Sequence, residues 1–222
     1  MNKRLPITAG RLAVLLIGTP LALLVIAVLA IIDVAHVGRG TYHVQLSVPV
    51  RGHSVEMSLD SGDLHVRQVT TAKLQISGIA LYSLVRSTVT PYTTGSGVKV
   101  TSDCHFVTWQ CSFDYVVGMP AGTAETFSDG QGHITVTGIT NPIVTASDGA
   151  GSVTLIFTKV PSRVDVTAAF GNVKIVLPPG LTVYNVVAHA QLGTSLIEVP
   201  ISAESKHLIN VNDGSGSILV IN

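Results

Sequence analysis

The chain has 222 residues, 12% of them charged and 5% aromatic, with a formal net charge of zero. That balance excludes a nucleic-acid partner, because neutralising phosphates takes a dense Lys/Arg surface. It also disfavours a helical protein, since the plentiful Gly, Val, Thr and Ser suit short strands and tight turns.

Residues 1–11 carry Lys3, Arg4 and Arg11 and read as a short cytoplasmic segment. LPITAG at Leu5–Gly10 looks like a sortase signal, but such signals precede a C-terminal membrane segment, and here the order is reversed. From Leu12 to Ile32 there are 21 residues without a charge. At about 1.5 Å per residue they would cross roughly 30 Å of hydrocarbon as one transmembrane helix. The basic residues ahead of the span keep the N-terminus inside, and Gly18 and Pro20 are tolerated in such helices. The rival reading is a cleaved signal peptide, with VLA at Val28–Ala30 offered to the peptidase; typical apolar regions of signals are shorter. The expected location is therefore the cell membrane, single-pass, with a linker at 33–40 and an extracytoplasmic domain over 41–222. Ten basic and thirteen acidic residues lie beyond the span, a mild net −3 that steers no particular ligand.

The only cysteines, Cys104 and Cys111 in DCHFVTWQCSFDY, lie outside the membrane in this reading. An even count at short spacing suggests a disulfide. Two buried thiols are an alternative, and so is a metal site, although zinc needs two further ligands and only His105 is close by.

A phrase then recurs: DGQGHITVTG, DGAGSVTLIF and, at the end, DGSGSILVIN. With its second glycine as a marker, Gly171 has Val164 and Val166 seven and five residues before it, and Val173 and Ile175 two and four after. Gly151 has Val144, Ala146, Val153 and Leu155 at these offsets, and Gly216 has Ile209, Val211, Ile218 and Val220. Gly193 has Val186, Ala188, Ser195 and Ile197, and Gly62 has Val55, Met57, Leu64 and Val66. Gly132 keeps Ile134 and Val136 but has Glu125 and Phe127 upstream. Each unit reads as strand, glycine turn, strand, with period-2 alternation. From Gly132 to Gly216 the markers stand 19, 20, 22 and 23 residues apart, a solenoid-range repeat. One unit cannot bury its apolar face alone, whereas stacked units share a core. The expected fold is an all-β solenoid of stacked glycine-turn repeats, its glycines supplying positive φ and Asp129, Asp148 and Asp213 closing Asx-turns. An ordinary β-sandwich predicts turns but no fixed glycine phase. A calcium-binding nonapeptide roll repeats every nine residues and carries an Asp where this chain has Ile134, Val153, Val173 and Ile218, so no calcium is expected.

The stretch DYVVGMPAGTAETFSDGQGHITVTGITNPIVTASDGAGSVTL resembles the bacterial DUF4097 family, in which a PAGT turn precedes glycine-phased strands in this order. SRVDVTAAFGNVKIVLPPGLTVYNVVAHAQLGTSLIEVP resembles its later part, including the LPPG turn at Leu177–Gly180. The likeness covers roughly Thr41 to Asn222, and an N-terminal anchor is usual in the family. It implies an adhesin-like envelope protein without attached enzymatic chemistry, and it favours the bridge between Cys104 and Cys111. The last two phrases depart from the family by carrying Leu196 and Leu219 where polar residues are expected.

No catalytic constellation emerges. The eight histidines are scattered singly, with no HExxH spacing, and there is no GxSxG elbow, P-loop or dinucleotide fingerprint. Glycoside hydrolysis needs two carboxylates about 5–10 Å apart. The outward positions Thr145, Asp165, Val187 and Asn210, with Ser147, Thr167, His189 and Asn212, offer only one. The chain is therefore expected to be no enzyme and to use no cofactor.

The outward positions after the markers change along the chain. Three residues on stand Thr135, Thr154, Lys174, Leu196 and Leu219, and five on stand Thr137, Ile156, Val176, Glu198 and Ile221. The later ones turn apolar, which makes Ile156, Val176, Leu196, Leu219 and Ile221 a candidate interaction face. Either N-terminal strands around 41–66 cover it, or a partner, second copy or membrane does. An unpaired edge is expected beside it, after the last coil. Two functions follow: a displayed adhesin or surface interaction module, or an envelope-stress sensor working through a membrane signalling partner.

Overall fold

The computed structural model describes residues 24–26, 39–104 and 110–222. The expected membrane span over 12–32 lies outside these residues except for Leu24–Ile26, which are helical. No helix among the described residues is long and apolar enough to cross a membrane. The chain divides into Met1–Arg39 and Gly40–Asn222.

From Arg39 onward the described chain is strand and turn, in one mixed twelve-stranded sheet. The strands are β1 (Arg39–Pro49), β2 (Ser54–Leu59), β3 (Gly62–Val69), β4 (Lys73–Ser83), β5 (Thr88–Thr93) and β6 (Gly97–Asp103). They continue with β7 (Cys111–Pro120), β8 (Ala124–Ile139), β9 (Ile143–Phe157), β10 (Arg163–Val176), β11 (Asn185–Glu198) and β12 (Leu208–Ile221). Long strands form because apolar residues alternate on each side of a glycine corner. The corner switches the phase. In β9 the buried residues are Val144, Ala146 and Asp148 before Gly151, then Val153, Leu155 and Phe157 after it. Each long strand therefore offers two arms whose inward side chains enter one core.

Neighbouring long strands run parallel and in register at the corner. Gly62 pairs with Gly132, Gly132 with Gly151, Gly151 with Gly171, Gly171 with Gly216, and Gly216 with Gly193. Every marker glycine thus meets another. The reason is closer than backbone conformation alone: a Cβ on Gly151 would lie 1.4 Å from the carbonyl oxygen of Gly132, and one on Gly193 would lie 1.7 Å from that of Gly216. Polar side chains run along the outer corner, where the Asn172 side-chain Oδ1 accepts from the Ser217 hydroxyl at 2.7 Å and from its N–H at 3.1 Å.

Two features differ from a chain-order stack. First, β12 lies between β10 and β11, so the outermost strand is β11 and not the last one. Second, β4 to β7 do not continue the repeat. The first arm of β8 pairs with β2, then come β6 and β5; the second arm pairs with β3, then come β7, β4 and β1. β5 and β4 are antiparallel to their neighbours β6 and β7. They close that end of the core, leaving an open cleft of about 490 Å³ between β1 and residues 86–90.

Cys104 and Cys111 form a disulfide with Cα atoms 5.8 Å apart, tying the exit of β6 to the start of β7 and so one wall to the other. Its loop is short, so replacing both cysteines with serine is expected to cost about 2 kcal/mol. Urea unfolding of the double variant against the parent measures this, and equal midpoints would refute it.

Candidate functional site

The structure gathers the five expected face residues on adjacent strands. Ile156, Val176 and Ile221 follow one another across β9, β10 and β12, and Leu219 pairs with Leu196 across β12 and β11. The interleaving of β12 makes the apolar row continuous and moves Glu198 to its outer end. Leu196 is 52% exposed, while the other four are half-buried among their neighbours. The N-terminal strands do not cover this face. β1 lies at the opposite edge of the sheet, and β2 and β3 are taken up in the ladder beside β8.

Exposed apolar surface concentrates further out than the sequence indicated. Leu181, Val183, Val187, Leu192, Leu196 and Ile201 are all exposed, and all lie on or beside β11; Leu192 is 74% exposed and Leu181 93%. Leu192 occupies the corner position where β8, β9 and β12 carry Gln131, Ala150 and Ser215. That contrast was readable in the sequence. Phe170 holds the same position on β10, two strands away, and is exposed as well.

The inner side of β11 is unfinished. In β12 the inward Ile209, Val211, Asp213, Ile218 and Val220 are all buried. Their partners on β11, namely Val186, Ala188, Ala190, Ser195 and Ile197, are not. Three of them are small, and among the described residues only β12 pairs with this strand, so its outer backbone edge is open to them.

Buried carboxylates occupy several inward positions of the ladder. Glu125 occupies an inward position between Val55 and Val144 and is 1% exposed. The Asn141 side-chain amide donates to its Oε1, whereas Oε2 has no partner among the described residues. Burial pushes its pKa up to about 7, against the opposing pull of the Asn141 amide. Three residues before the corner, Asp129 and Asp148 pair across β8 and β9, and Asp213 follows beyond Ala168. The expected Asx-turns are present at Asp129 and Asp213, whose Oδ1 atoms accept from the N–H groups of Gln131 and Ser215 at 3.3 and 3.2 Å. Burial raises the pKa of Asp129 to about 7, with the Asp148 charge adding to it, and it raises Asp148 and Asp213 as well. Among the described residues no group of three His, Cys, Asp or Glu could hold a metal ion. His189 is exposed on the outer side of β11, and His105 lies outside the described residues.

No family model matches the chain, and no curated protein does. Two solved structures are similar. One is described as a "putative cell adhesion protein" from Clostridium sporogenes, with 14% identity and a TM-score of 0.59 over 82% of this chain and 99% of that one. The other, a "putative adhesin" from Bacteroides fragilis, has 9% identity and a TM-score of 0.35 over 82% and 97%. At such identities the Clostridium likeness is one of fold: the chain is built like a protein described as adhesive.

Proposed function

We propose that this chain is a non-catalytic, single-pass membrane protein of the cell envelope, with a DUF4097-type β-solenoid outside the membrane serving as an adhesin or surface interaction module. The observation that carries this reading is the β11 end of the ladder, an open strand edge with exposed leucines and an incompletely buried inner side. Soluble domains seldom leave such a surface uncovered, and free edges are usually blocked or bent away. The uncharged span at 12–32 supports the anchor, and the parallel glycine-phased ladder supports the solenoid.

The test uses the full chain in a bacterial host. The outer domain should be digested by protease added to intact cells, with its N-terminus protected. Cells bearing the protein should adhere to surfaces or to each other, and Leu192→Lys with Leu196→Lys should reduce adhesion at least tenfold while the domain stays folded. Unchanged adhesion in a folded variant would overturn the reading. Recovery of a crosslinked membrane kinase in place of any adhesion would favour the envelope sensor.

A further inference from the structure

We infer that the occupant of the β11 edge is a second copy of this chain, joined antiparallel to β11 about a two-fold axis through the glycine corner. This rests on the reading of the β11 end as a contact surface and names the partner. The argument starts from the phase switch at the corner. Inward residues stand seven, five and three places before the marker glycine and two and four places after it, as in Val144, Ala146, Asp148, Val153 and Leu155. On β11 this pattern is symmetric about the bond between Leu192 and Gly193. A strand that reads the same inward pattern from either end can pair with a reversed copy of itself and keep every inward position opposite an inward position. Shifting the register by one residue would set inward against outward side chains all along the edge.

In the symmetric register Ala190 faces Ser195 of the second copy, and Ala188 faces its Ile197. On the outer side His189 faces Leu196 and Val187 faces Glu198. No like charges oppose each other, because Glu198 is the only charged residue among the Asp, Glu, Lys and Arg of β11. The small inward residues leave room for the isoleucine brought from across the axis, so two unfinished cores complete each other. A two-fold contact of this kind closes with two copies and does not propagate.

The other end of the ladder does not compete. β5 has only six residues and carries Pro91, which has no N–H to donate. The edge there is split between β1, which pairs only with β4 among the described residues, and β5, which pairs only with β6, so no continuous edge matches both arms of β11. β11 has fourteen residues, no proline and no lysine. Along Asn185–Glu198 the blocking devices of the other end are missing, since the segment at Ile201 pairs only with Tyr184, ahead of the strand.

Crosslinking in the full chain tests the pairing. Val187 and Glu198 are exposed, lie on different arms of the same strand, and come directly opposite each other only between copies in this register. With Val187→Cys and Glu198→Cys together, membranes treated with diamide should show a disulfide-linked dimer, at least tenfold more than either single variant gives. The native cysteines are already bridged within the chain. A double variant that remains monomeric overturns the pairing, and so do single variants that crosslink equally well. If Leu192→Lys with Leu196→Lys abolishes adhesion but the double cysteine variant never crosslinks, the contact surface stands and the second copy falls. If the dimer forms and adhesion ignores those lysines, the pairing stands and the adhesive reading falls.

Discussion

Gly171→Ala is expected to leave most of the unit Gly40–Asn222 unfolded, at a cost above about 4 kcal/mol. A Cβ at this position would sit 1.4 Å from the carbonyl oxygen of Gly151 and 2.6 Å from its carbonyl carbon, on a residue whose φ is +141°. The obstacle is backbone, so no side-chain rotation relieves it. Gly151 cannot retreat, because its strand is held on both sides by β8 and β10, and Gly216 presses on Gly171 in the same way. A change of this size is a large share of the 5–15 kcal/mol by which a domain is ordinarily stable. Gly95→Ala is the control: nothing lies within 4 Å of its Cβ and its φ is ordinary, so its effect should stay within about 0.5 kcal/mol. Urea unfolding followed by circular dichroism compares the two, and similar midpoints would remove the corner from its place in the fold.

Stability should fall as pH rises through the range where carboxylates normally ionise up to neutrality. The unfolded chain releases the Glu125 proton near 4.5, whereas the folded chain holds it to about 7 because the ionised form is buried. Between these values the folded state carries more protons than the unfolded state, so raising the pH works against folding. Stability from this group is full below about 4.5, declines across the window and levels off above about 7. Asp129 acts in the same direction over a window that opens near 3.8. For Glu125 the shift corresponds to something on the order of 3 kcal/mol. Glu125→Gln removes the ionisation, so its stability relative to the parent should rise by about that amount between pH 4 and pH 8. A difference that stays constant with pH would show that Glu125 is ionised in the fold, or exposed.

The recurring Asp-Gly-x-Gly phrase carried the register of the ladder because its constraint is local. Only glycine tolerates two backbones this close, so glycine must meet glycine, and the alternating apolar residues on either side then fall on one face. Even the exceptions were visible: Glu125 stood out as the charged residue in an inward row and proved to be buried, and Ser195 stood out as the polar one and proved to lie on the open edge. The order of the last strands was not legible. β11 and β12 share the marker glycine and its inward offsets, although β11 lacks the Asp-Gly before it, and local patterning assigns the same register to both. Which one lies inside depends on how well each fills the core against β10, where the Ile209, Val211, Ile218 and Val220 of β12 bury more than Ala188, Ala190 and Ser195 can. The capping strands β4 to β7 and the meeting of Glu125 with Asn141 depend likewise on contacts far apart in the chain, which follow from the closure of the whole sheet. The interaction face shows both limits. Its alternation named Leu196 and Leu219 in advance, but only the tertiary order, by leaving β11 outermost, decided that the exposed surface gathers around Val187, Leu192 and Leu196.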